Sequence, residues 1–452
     1  MNASRRGFLL RATGLGTAGL GVSLLNVGDV QASDYKALVV VFLAGGSDGN
    51  NMLVPTNAAY NDYARARASI AHPRDSLVAL SGRHVDHTFG LSPALAPLAG
   101  LFEQKRLAIV TNVGALIEPG TIADYRAGRM KLPPFLGSHF EQEQWIQGWG
   151  GNEDLSGWGG RAIDAFPANM RSRQPLVALS GDATVVRARE TLMSRSSGAS
   201  ANIGRANLDD AQNSGTRTLE WAARLQSDNA YEAEVAASLR RTYLDTIEFS
   251  RSQRYGAEPA GNFPQVPFGA IGHDLRFVAR HMAYSRDLGA RRQVYLVHDG
   301  GYDTHSDQLS TSTGQPGQEM RLNAVSASLK AFDDSVRAQG MDGQVLTVVI
   351  SEFGRTLDPT SGRGTDHAWG NHWFAIGGAV RGGMVYGPSF PVLQVGGPDD
   401  TTSGHPRGYW LPRYSSDQFA SDALRWMGLS AAQALAVMPN LANFPQPTVG
   451  YI

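Results

Sequence analysis

The chain has 452 residues and no cysteine. Disulfides, thiolate metal ligands and a cysteine nucleophile are therefore excluded. Any metal has to be held by His, Asp or Glu, a donor set that suits zinc, manganese, magnesium or calcium. Charge of either sign is not in excess: 40 Lys and Arg stand against 41 Asp and Glu, and charged residues make up 18% of the chain. That balance excludes the basic stripe of a nucleic-acid binder. Long apolar runs are also scarce. Beyond the first thirty-odd residues no stretch reaches transmembrane length without a charge or a glycine cluster, so no stable membrane span is expected after cleavage.

The N-terminus has a different character. Ser4-Arg5-Arg6-Gly7-Phe8-Leu9 carries paired arginines, Ala12 to Leu25 is weakly apolar, and Val30-Gln31-Ala32 has the small-x-small look of a cleavage site. The three-part layout predicts a cleaved twin-arginine signal over 1–32, with the twin-arginine export machinery as partner and a periplasmic or extracellular mature protein.

Residues 33–452 read as an α/β domain. Lys36 to Leu43 is apolar throughout and ends in Ala44-Gly45-Gly46-Ser47-Asp48. Ser92 to Lys105 has helical apolar spacing, and Leu107 to Thr111 is the next strand-like run. This β-loop-α-β order points to a doubly wound, mostly parallel sheet flanked by helices. Residues from about 115 to 270 are expected to form an insertion or cap, irregular to about residue 200 and with a small polar loop at 198–214. Further strands are expected at Gln293 to Val297, Gln344 to Ile350 and Trp373 to Ile376. Helices are expected at Gly272 to Leu288, Arg321 to Ala338 and Ser416 to Met427.

Three of these strands end in polar loops, one with Asp48, one with Asp303 and His305, one with Glu352. In an open α/β sheet such ends line the ligand crevice. The following loop adds Asp366, His367 and His372. Oxygen and imidazole donors at separate strand ends suit a one- or two-metal hydrolytic site. Arg355 and Arg363 are candidates to stabilise a developing oxyanion.

The segments 45–51, Ser138 to Trp145, Tyr302 to Gln308, Ser351 to Thr356, Gly362 to His372 and Met438 to Phe444 resemble those of an exported bacterial family, "domain of unknown function fifteen-zero-one". That family is placed in the alkaline phosphatase and sulfatase superfamily. The resemblance implies an alkaline phosphatase-like fold carrying one or two divalent metal ions. It implies Asp48 as first ligand, Asp303 and His305 as the next pair (with Asp299 in reserve), Glu352 at the third strand end, Asp366 and His367 as the second pair, and His372, or else His405, as the last histidine. It also implies a nucleophile: Ser138, at a helix start, is the first candidate, with Thr111 and Ser47 beside it. The function expected is an exported metal-dependent hydrolase acting on a phosphate or sulfate ester. The alternative is a non-catalytic envelope binding or assembly protein, with Trp145, Trp149 and Trp158 as a polysaccharide platform or with an exported protein partner.

Overall fold

The longest apolar run forms strand β1, Lys36–Ala44, in which residues 37–43 are almost wholly buried. Side chains apolar on both faces suit the middle of a sheet covered on both sides. The computed structural model describes residues 34–82, 84, 86–148, 155–196, 217, 220, 221, 224–402 and 405–452, and β1 lies centrally in it. The signal expected over 1–32, the loop expected at 198–214 and Trp149 lie outside the described residues.

Around β1 are β2 (Leu107–Gly114), β3 (Arg171–Leu179), β4 (Ser194–Ser196), β5 (Arg292–Gly300), β6 (Val345–Ile350), β7 (Asn371–Ile376), β8 (Met384–Tyr386) and β9 (Tyr414–Ser415). They form a sheet of order β8-β2-β7-β6-β1-β5-β3-β4, with β9 beside β2. Every pairing is parallel except the two made by β7. Val40 is level with Leu296 of β5 and Val348 of β6, so the three central strands end together at one carboxyl edge.

Among the helices are α1 (Ala96–Glu103), α2 (His139–Ile146), α3 (Trp158–Asp164), α4 (Ile271–Asp287), α5 (Gln318–Ala338) and α6 (Ser416–Met427), besides a longer one at Ala230–Tyr255. Alternation along β1 separates two cores. Val39, Val41 and Leu43 pack with Leu98, Val278 and Leu329 from α1, α4 and α5. Leu38, Val40 and Phe42 pack with Ile146, Ala162 and Ala423 from α2, α3 and α6. In α4 the buried Leu275, Val278, Ala279 and Met282 recur at the spacing of one helical face. Each large side chain so buried contributes about 1.5–3 kcal/mol. The doubly wound, mostly parallel α/β architecture expected from the sequence is the one observed.

Two differences have plain causes. The stretch read as irregular to about residue 200 supplies β3 and β4 to the sheet. Arg171-Ser172-Arg173-Gln174-Pro175 disguises β3, leaving only residues 176–179 as an apolar run. Trp145 and Trp158 are buried core residues rather than a surface platform. Among the described residues no helix is long and apolar enough to cross a membrane.

α6 opens with a capping box from Ser415 and Gln418 and closes on Gly428 in the left-handed region. In its first turn Asp417 is buried, and desolvation lifts its carboxyl to about 7, opposed by Arg161 and Ser416. The folded state therefore binds this proton more tightly than the unfolded chain, whose Asp titrates at about 3.9. The resulting stabilisation is present below about pH 4 and is lost as pH rises through 7. Asp417→Asn is expected to be more stable than the parent at pH 8 by roughly 2–4 kcal/mol. The gain is expected to fade below pH 4, and thermal melts at both pH values check it. An equal difference at the two values would refute the assignment.

Candidate metal centre

The centre is built where the loops after β1, β5 and β6 meet. β1 runs into Gly45, whose φ of +115° is left-handed. A Cβ there would fall 2.4 Å from the backbone nitrogen of Asp303, so only glycine permits the loops to approach this closely. The Gly45 N–H donates to Glu352 Oε1 at 2.6 Å, tying the first loop to the third. Arg355, wholly buried, donates to the carbonyls of Gly45, Gly46, Tyr302 and Thr365, and at 2.6 Å to Asp303 Oδ1.

Three imidazoles surround Asp303. His305 Nε2 is 2.9 Å and His367 Nε2 3.0 Å from its Oδ1, and His139 Nε2 is 3.5 Å from its Oδ2. His305 and His367 also bring their Nε2 atoms to 3.1 Å from each other. Ligand atoms of His139, Asp303 and His367 lie within 4.8 Å of one another. Each ring is anchored through its other nitrogen. His139 Nδ1 meets Glu352 Oε1 at 2.9 Å, His305 Nδ1 meets Asp366 Oδ1 at 2.8 Å, and His367 Nδ1 meets the Gly137 carbonyl at 2.6 Å.

Carboxylates and carbonyls only accept, so each Nδ1–H donates outward and each neutral ring turns an Nε2 lone pair inward. Three lone pairs and a carboxylate then face one another, and a cation, whether protons or a metal, is required to satisfy them. His139 Nε2 is buried without a hydrogen-bond partner, as an inward-facing ligand atom would be. Outward anchoring by carboxylate or carbonyl is also the usual second layer around metal-binding histidines. The donor set fits a metal ion.

The local electrostatics follow from the same contacts. The Glu352 hydrogen bond raises His139 above the ordinary imidazole value, against desolvation. Burial opposes ionisation of Asp303, but the hydrogen bond and charge of Arg355, aided by His367 and His305, hold its carboxyl well below the usual range. Desolvation lowers His367, partly offset by the Gly137 carbonyl and Asp303. Asp366 is lowered despite burial by His305 and by Arg407, whose Nη1 lies 2.8 Å away.

Of the residues expected as ligands, Asp303, His305 and His367 are brought together. Glu352 and Asp366 arrive as outer partners, each occupied by a histidine Nδ1 instead of facing the centre. Asp48 is turned away. It is buried, it pairs with Arg67, and its Oδ2 accepts from Gln308 at 2.6 Å. His372 is buried too, accepting from the Asn112 N–H through Nδ1 and lying against Phe390. Asp299 bonds the Tyr302 hydroxyl, and burial lifts its carboxyl to about 6. Arg355, expected to reach a substrate oxyanion, has every guanidinium nitrogen engaged inside the protein and orients Asp303 instead. Ser138 occupies the N-cap position of α2, but its hydroxyl donates to Glu141. Ser47 and Thr111 are buried in hydrogen bonds to Asn371 and to the Tyr386 carbonyl. The residue that sequence reasoning missed is His139. It sits beside the singled-out Ser138 in a segment already marked by resemblance, and that adjacency was the only signal.

The chain belongs to the family described as "Protein of unknown function (DUF1501)", which matches residues 35–395. No curated protein matches it by sequence. Among solved structures it is similar to the lipoteichoic acid synthase LtaP from Listeria monocytogenes, at 10% identity over 74% of this chain and 60% of that one, with a TM-score of 0.29. It is similar to the PsFucS1 sulfatase from Pseudoalteromonas sp., at 13% identity over 92% of this chain and 70% of that one, with a TM-score of 0.31. It is also similar to alkaline phosphatase from the Antarctic bacterium TAB5, at 9% identity over 78% of this chain and 94% of that one, with a TM-score of 0.27. Scores this low carry no functional inference.

Proposed function

We propose that this member of the family is an exported, metal-dependent hydrolase of phosphate or sulfate esters. The observation that carries the reading is the convergence of three Nε2 atoms on Asp303 with every Nδ1 proton tied outward. A divalent cation held there would supply Lewis acidity toward an ester oxygen or water. The chain's own contribution is to hold the donors in place: Glu352, Asp366 and the Gly137 carbonyl fix the rings, and Arg355 fixes Asp303. Three imidazoles beside one carboxylate favour zinc or manganese over calcium and magnesium, which prefer oxygen ligands. His305 and Asp303 are 48% and 45% exposed, which leaves the centre open to a substrate. With the Ser138 hydroxyl donating to Glu141, water is the better candidate nucleophile. Export rests on the arginine pair and cleavage pattern at the N-terminus.

The test is metal analysis of the purified protein, then assay against aryl phosphates, phosphodiesters and aryl sulfates. Bound metal with turnover on one class is expected. Folded protein that binds no added zinc or manganese would end the reading. Metal-loaded protein inert on all three classes would remove the hydrolase and leave the envelope binding or assembly protein.

A further inference from the structure

Along β5 the side chains of Val294 and Leu296 point into the core shared with α2, α3 and α6. The next residue on that face is His298, at the carboxyl edge, where the core gives way to a polar pair. His298 Nε2 lies 3.9 Å from Glu143 Oε1, and the two side chains are 20% and 18% exposed. The ring stacks on Phe42 of β1, with centroids 5.9 Å apart. Its other flank is walled by Gly181, where an added Cβ would meet the ring at 2.2 Å. The imidazole is thus clamped between β1 and the loop after β3, with Nε2 turned to Glu143.

Glu143 follows His139 by one helical turn in α2, so the two share a face about 5–6 Å apart at Cβ. A titratable pair therefore stands one turn from the candidate metal centre on the same sheet edge. Beyond it, Asp182 next to Gly181 joins Phe140, Gln144 and Arg187 around a hollow of about 160 Å³. Helix α2 thus carries His139 of the candidate centre, Glu143 of the pair, and Phe140 and Gln144 of the hollow.

We propose that His298 is the general acid of the ester hydrolysis suggested above, protonating the leaving alcohol, with Glu143 as its positioning residue. This rests on the hydrolase reading. A separation of 3.9 Å exceeds hydrogen-bond distance, so Glu143 faces Nε2 without engaging it in a hydrogen bond. In the step, a water oxygen bonds to phosphorus or sulfur. The bond from that atom to the ester oxygen breaks, its electron pair staying on oxygen, and the Nε2 proton joins that oxygen. The proton released by water restores the ring through solvent. Ester plus water becomes alcohol plus phosphate or sulfate.

The test compares two esters of the same acid on the metal-loaded protein, a 4-nitrophenyl ester, whose leaving group departs unprotonated, and an alkyl ester. His298→Asn is expected to lower kcat/KM on the alkyl ester by about 10²-fold or more, and at least about tenfold less on the nitrophenyl ester. Glu143→Gln is expected to show a smaller split of the same sign. It also decides the matter if His298→Asn does not fold, and metal content and melting temperature serve as controls. Equal losses on both esters with an active parent would overturn the general acid alone. A metal-loaded parent inert on both esters, and on the panel above, would overturn the hydrolase reading and the general acid with it.

Discussion

Asp303→Asn and His367→Ala are each expected to weaken metal binding by more than about 10²-fold, measured by titration of metal-free protein with zinc. Both residues turn a donor atom to the centre. Glu352→Gln and Asp366→Asn are expected to fall between, at about 10–100-fold, because each carboxylate acts through a histidine Nδ1. His372→Gln, buried against Phe390, is expected to leave zinc affinity as it was. The ranking is the content of the prediction. Metal lost from the His372 variant, or retained by the Asp303 variant, would mean that another set of donors holds the ion. The Glu352 result also bears on His139, whose imidazole depends on that carboxylate for its orientation and its raised proton affinity.

The second large effect concerns a residue expected as a ligand. Asp48→Ala is expected to destabilise the fold by about 3–5 kcal/mol while zinc stoichiometry stays intact. Asp48 faces Arg67, and both are buried. Arg67 further donates to Asn51 Oδ1 at 3.0 Å and to the carbonyls of Thr356 and Leu357 at 2.8 and 3.1 Å. Removing the carboxylate leaves a guanidinium charge in the interior with only neutral partners, which is the costly half of a buried ion pair. Pairing Asp48→Ala with Arg67→Met is expected to recover much of the loss, because the orphan charge goes too. Denaturant unfolding of the two single variants and the double measures the coupling. A stable Asp48→Ala protein that no longer holds zinc would put Asp48 back among the ligands.

The sequence made the sheet legible wherever a strand was apolar on both faces. β1, β5 and β6 announce themselves, and their shared carboxyl edge follows from the parallel order. β3 escaped because charged and proline residues begin it. Asp303, His305 and His367 were legible as ligand types at the right edge. What could not be read was the rank of the donors. Two aspartates are alike by type, and the sequence could not tell that Asp303 stands beside three Nε2 atoms while Asp366 meets His305 Nδ1 and Arg407. His139 was hidden for another reason. Its anchoring carboxylate, Glu352, lies 213 residues further along the chain, so no local spacing joins the two. The pairing of Asp48 could not be read because its partner, Arg67, sits 19 residues on in a short helix and carries no mark of being buried.

The outward anchoring of the three rings has a mechanical side. Asp303 and His367 are 64 residues apart, and His139 enters from a helix far upstream of both. An ion gripped by all three would pin distant parts of one polymer at a single point and close two long loops. Closing such loops removes freedom from the unfolded chain, the same account given for covalent crosslinks. A chain without a single cysteine would then carry a removable rivet at the place where its chemistry is done, and losing the ion would slacken the scaffold as well as silence the site.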